Sequence, residues 1–130
     1  MGQPYADIEE LIGGWLSQAC GCRVLTDLPA DLQQQVPLLQ INRYGGADVA
    51  PGLDVALLDV DAFGPDRSTA VTYAERARRA LRFDLPNTQI GYSVFTQVLT
   101  IEAPSYRPYD NTDLRRIGAT YRLTIHNVAA

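Results

Sequence analysis

The chain has no lysine: all eleven of its basic side chains are arginine, and it holds one histidine and two cysteines. No run approaches the ~20 apolar residues that a membrane-spanning helix needs, so no membrane partner is expected. Arginine-only usage can follow from genomic base composition alone, yet it has a physical consequence. Planar guanidinium forks suit fixed, bidentate contacts better than ammonium groups do. The net charge of −4 repels DNA phosphates on average, so sequence-specific DNA binding would need a segregated basic patch. Cys20 and Cys22 stand too close in sequence for an unstrained disulfide. A zinc site needs about four ligands, and the single His126 lies in a distant strand. Reduced thiols, at least one of them buried, and no metal are therefore expected.

Motifs of chemistry are equally scarce. The sequence contains no P-loop, no dinucleotide glycine fingerprint, no Gly-x-Ser-x-Gly elbow and no His-Glu-x-x-His. Gly13-Gly14 and Gly45-Gly46 are not phosphate cradles, because neither pair joins a strand to a helix in the required order. The opening MGQPYADIEE is acidic where a secretory signal is basic, which points to an intracellular protein. Ala6 stands where an N-myristoylation signal carries Ser or Thr. No cofactor and no catalytic residue is assigned, and a role in assembly is sought before one in catalysis.

What is present is an ordinary globular composition, 46% apolar and 20% charged, over 130 residues. That suits one domain spanning 1–130 with a self-sufficient core. Ile8, Leu11, Ile12, Trp15, Leu16 and Ala19 recur at helical spacing, with Asp7, Glu9 and Glu10 in the first turns and Gly21 as a stop. Gly13 and Gly14 inside this helix are read as permitting close packing on a sheet. A short strand at 23–28, a helical turn within 29–36 and a strand at 37–44 follow. Gly45-Gly46 ends that strand, and a connection of about eight residues leads to an antiparallel neighbour at 53–63.

The 53–63 strand has one wholly apolar face, Ala56, Leu58, Val60 and Ala62, which must meet the core. Its other face turns from apolar to acidic at Asp59 and Asp61. Paired carboxylates there suit solvent, a subunit contact or a lumen, and they are also the weak candidates for acid–base or metal chemistry. A helix from Asp66 to about Leu85 buries Ala70, Ala74, Ala77 and Leu81. Arg76, Arg78, Arg79 and Arg82 crowd its C-terminal half. They suit the carbonyl end of the helix dipole as a solvated face, or a basic patch that meets an acidic neighbour. A long strand at 89–103 and a last one at 117–128 form an antiparallel pair. In the last strand Ala119, Tyr121, Leu123 and Ile125 point inward, and Thr120, Arg122, Thr124 and His126 point outward. The 104–116 segment between them reads as a projecting loop. Tyr106, Arg107, Tyr109, Arg115 and Arg116 in it could stack on bases or anchor a protein interface. The expected class is α+β: a mostly antiparallel sheet of four to five strands with two helices on one face.

The succession RVLTDLPADL, PLLQINRYGG, LDVALLDVDAF, a helix ending AERARRAL, and a last strand YRLTIHNV resembles the tail terminator proteins of long, non-contractile-tailed bacteriophages. The likeness runs from about Ala6 to Val128. Its most distinctive pieces are Leu-Pro-Ala-Asp at 28–31 and Pro-x-x-x-Ile-x-Arg-x-Gly-Gly at 37–46. The alanine-rich, arginine-only style is similar to versions carried by phages of high-GC actinobacteria. The resemblance implies a homohexameric ring in the virion, assembled in the host cytoplasm, which caps the tail tube and stops its polymerisation. It also implies the tail tube protein and the head-completion or connector proteins as partners, with genome DNA passing through the lumen without sequence-specific binding. No catalytic residue carries over. Two rival readings are another neck, head-closure or tail-completion protein, and a small ligand-binding α+β domain or enzyme using Asp59, Asp61 and His126.

Overall fold

The computed structural model describes residues 5–128. Residues 1–4, where an N-terminal lipid signal was considered, and 129–130 lie outside the described part. Helix α1 (Ile8–Cys20) leads to strand β1 (Arg23–Leu25), the short helix α2 (Leu32–Gln35) and the hairpin strands β2 (Leu38–Ala50) and β3 (Leu53–Gly64). Helix α3 (Arg67–Arg79) runs on into a π-helical turn, Ala80–Asp84, before β4 (Thr88–Ile90), β5 (Ser93–Tyr106) and β6 (Arg115–Asn127). The strands form one six-stranded sheet in the order β1-β2-β3-β6-β5-β4, antiparallel except where β1 runs parallel to β2.

Both long helices start where an aspartate caps them, and α1 also stops at a cap. The Asp7 carboxylate accepts the Glu10 N–H at 3.2 Å, and Gly21 closes α1 in the left-handed region at φ 67°, its N–H reaching Ser17 O. The Asp66 carboxylate accepts the Thr69 N–H at 2.8 Å at the head of α3. The buried row of α1 is Ile8, Ile12, Leu16 and Cys20, one residue every four. Leu11 and Trp15 flank it half-buried, and Ala19 is exposed, so the stripe lies slightly rotated from its expected line. A Cβ at Gly13 would make an ordinary 3.7 Å contact with Ile41, and one at Gly14 would meet nothing. Close packing therefore does not explain the glycine pair.

The core lies between these helices and one face of the sheet. Ala56, Leu58, Val60 and Ala62 of β3 and Ala119, Tyr121, Leu123 and Ile125 of β6 face Ala70, Ala74, Ala77 and Leu81, as their alternation requires. A second, smaller cluster forms on the opposite face. Leu38 and Phe63, paired across β2 and β3, are covered there by Leu32 of α2 and Leu114. The other face of the sheet is thus roofed at one end, which a two-helix, one-face layout does not include.

Three expected boundaries move. Strand β2 does not stop at the glycine pair but passes through it by a bulge between Arg43 and Gly45, and turns at Pro51 and Gly52. The expected 89–103 strand is two strands, because Gly91 at φ 60° lets β4 fold back on β5. Strand β5 then reaches Tyr106, so the expected 104–116 loop shrinks to 107–114. An irregularity between Phe95 and Gln97 resets the alternation of β5, which places both Phe95 and Val98 in the core.

Candidate functional site

The sequence-selected residues fall into two groups on different parts of the molecule. The first is a charge cluster on the sheet face opposite the long helices. Strand register lines up Asp59 with Thr120, Thr120 with Glu102, and Asp61 with Gly118 across β3, β6 and β5. Arg107, just past β5, lays its side chain over this row. Its Nη1 donates to Asp61 Oδ1 at 2.9 Å and to Asp59 Oδ1 at 3.5 Å, while Nη2 reaches Thr120 Oγ1 at 3.3 Å and Glu102 Oε1 at 3.5 Å. Thr120 in turn donates to Asp59 Oδ1 at 2.6 Å.

Gly118 makes this possible. A Cβ there would overlap Asp61 Oδ1 and the Arg107 side chain, so the guanidinium arm crosses the strand where no side chain blocks it. Burial pushes the Asp61 carboxyl above its ordinary range; Arg107 and then Arg116 pull it back only in part. For Arg107 the balance reverses. Burial works against its charge too, but Asp61, Asp59 and Glu102 together hold the guanidinium above its ordinary range. The cluster is a charged network held within one chain, and among the described residues no group of three or more His, Cys, Asp or Glu is placed to hold a metal ion.

Beside this cluster, Arg116 stacks over the rings of Tyr109 and Phe63 at 5.5 and 6.0 Å, and those rings meet edge to face with centroids 5.1 Å apart. Arg116 Nη2 also donates to Pro108 O, and Arg115 donates to Thr112 O and Leu114 O. Tyr109, Arg115 and Arg116 therefore brace the 107–114 loop. Of the five candidates named in the expected loop, Tyr106 alone stands exposed.

The second group is the arginine rank of α3. Arg76 leans on the Tyr73 ring at 4.7 Å and its Nη1 lies 3.4 Å from Cys20 O. Arg78 has Glu75 at 3.6 Å, and Arg82 Nη1 donates to Val98 O at 2.7 Å on the outer side of β5. Arg78, Arg79 and Arg82, with Phe83 of the π-helical turn and Leu99 and Ile101 of β5, line an open groove of about 890 Å³. Phe83 is 79% exposed and Ile101 55%, so the groove joins positive charge to apolar surface. Beneath it lies Tyr121, whose hydroxyl is buried with no hydrogen-bond partner among the described residues. Burial pushes that phenol up to about 12.

The remaining candidates stand apart. His126 is exposed on β6, far along the strand from Gly118. Cys20 is buried and Cys22 half-buried, both free; burial pushes the Cys20 thiol up to about 12. Neither is a ready nucleophile. Three features were not singled out from the sequence: Gly118, the exposed Phe83, and the Arg43–Asp54 pair. The last is bidentate, at 2.8 and 2.7 Å, and braces the β2–β3 hairpin. A glycine in the interior of an alternating strand was the available signal for Gly118.

No protein-family model and no curated protein matches the chain. Among solved structures, the fold is similar to that of a chain in the virion of a native gene transfer agent particle, with a TM-score of 0.61. The match covers 86% of this chain and 84% of that one at 16% identity, so the likeness is one of fold across nearly the whole domain.

Proposed function

We propose that this chain is a structural protein of a phage-like virion and, within that class, a tail terminator. Copies would form a closed hexameric ring that caps the tail tube, stops its polymerisation and offers a docking face to the head-completion or connector proteins. Its role is to bind rather than to catalyse, first in the host cytoplasm and then in the virion. The observation that carries the reading is the fold shared with a gene transfer agent virion chain over most of both lengths. Two features support it. A ring interface is heterologous, requiring different patches on the two sides of each copy, and this molecule has a basic, apolar groove on one side and acidic α1 residues towards the other. The open face carries aspartates already answered by Arg107, on a chain of net charge −4, which suits a passage that must not hold DNA phosphates.

Electron microscopy of particles made without this protein tests the reading. Tails of uncontrolled length, unjoined to filled heads, are expected. Tails of normal length attached to heads would reject the terminator role.

A further inference from the structure

The two rims of the sheet are only partly covered. β1 lies beside β2 at 38–40 alone, and β4 lies beside β5 at 93–95 alone. Along 41–50 of β2 and 96–106 of β5, no further strand is present among the described residues. Because β2, β3, β6 and β5 alternate in direction, the two open rims run antiparallel to each other. They are also similar in length, and their covered ends lie at opposite ends of an antiparallel pair. The rim of one copy therefore fits beside the other rim of the next copy without β1 and β4 colliding.

Charge points the same way. Beside the β5 rim stand Arg78, Arg79 and Arg82, with Glu75 paired to Arg78; beside the β2 rim stand Glu9 and, on the strand itself, Asp48 and an Arg43 answered by Asp54, with Glu10 close by in the cleft along β1. Each rim also exposes large apolar side chains, Phe83 and Ile101 on the first, Tyr44 and Val49 on the second. Each has a cap of opposite sign. Glu9 Oε2 accepts the Arg43 N–H at 3.3 Å, and Arg82 donates to Val98 O. Pairing the rims would replace both caps by backbone bonds and release both side chains to the contact, Arg82 on the stretch of β5 that then lies opposite Asp48.

We propose that the ring closes through this contact: the β5 rim and arginine groove of one copy receive the β2 rim and acidic α1 flank of the next. The inference rests on the ring reading above. The bulges along both rims and Pro104 in β5 interrupt indiscriminate strand pairing, which leaves the charges to choose the partner.

The test uses purified full-length chain. Sedimentation and native mass measurement follow assembly of wild type, of R78E/R79E, and of E10R/D48R. Each variant alone sets like charges against each other and is expected to need about tenfold or more higher concentration to assemble. Mixed one to one, the variants complement each other around an even-membered ring, and assembly returns to the wild-type range. Circular dichroism and thermal melts of each variant confirm that the fold is intact. Hydrogen exchange supplies a second readout: amides within 41–50 and 96–106 are expected to gain protection on assembly. The inference is overturned if wild type stays monomeric at millimolar concentration, if either variant assembles like wild type, if the mixture is not rescued, or if those amides exchange alike in both states. The particle experiment is separate, so the virion role and this contact can fail independently.

Discussion

Arg107 and Arg79 carry the same guanidinium into opposite situations. Arg107 lies across the sheet among Asp59, Asp61 and Glu102, its charge answered inside the chain. Arg79 stands exposed on α3 with no hydrogen bond or ion pair among the described residues. The first arrangement fixes a loop to a sheet and contributes to folding. The second leaves a charge whose interactions must come from outside. Neither the residue type nor the local run of arginines separates the two; only the tertiary partner does.

The comparison breaks most visibly at Arg107. Arg107→Met leaves Asp61 buried without its cation and is expected to lower unfolding stability by about 3 kcal/mol. Denaturant titration measures the loss. Adding Asp61→Asn to that variant is expected to restore part of the stability; no recovery would mean that the arm acts through packing alone. Gly118→Ala attacks the same cluster from beneath and is expected to cost about 2 kcal/mol, through a Cβ that Asp61 and Arg107 must move to admit. A stability equal to wild type would show that the arm is not confined to that path.

Two aspartates should give opposite pH slopes. The folded carboxyl of Asp61 is raised above its unfolded value by burial, so the folded state binds more protons in the window between the two values. Relative to Asp61→Asn, wild type is expected to gain stability as pH falls through that window, just above the ordinary carboxylate range. Asp66 is held below its ordinary range by the Thr69 N–H, so its contribution is present at neutral pH and fades as pH falls through its folded value. The deficit of Asp66→Ala relative to wild type is expected to shrink on acidification. Melting curves across pH for the two variants check both signs. The smallest stability effect belongs to Arg79→Glu, expected within about 0.5 kcal/mol of wild type because the side chain is exposed and unengaged.

Elements fixed by local pattern were legible in the sequence. The apolar faces of β3 and β6 alternate without interruption, the alanine face of α3 repeats at helical spacing, and Asp66 and Gly21 mark their helix ends. What escaped depended on interruption or distance. Gly45-Gly46 reads as a strand end, yet both glycines take positive φ within a bulged β2 that continues to the Pro51 turn. The Phe95 to Val98 phase change hides in a run that also alternates on paper. The Asp59–Asp61 pair was visible, but its partner Arg107 lies 48 and 46 residues away, beyond any local signal. Arg107 therefore read as one more loop arginine, grouped with Tyr106 and Arg115, whose surroundings are different.

The division between folding and assembling arginines meets its most direct test in particles that carry R78E/R79E in place of the wild-type chain. Overlong tails without heads, from a purified variant that unfolds at the wild-type denaturant midpoint, are the expected result. Normal, head-bearing particles from that same variant would contradict it.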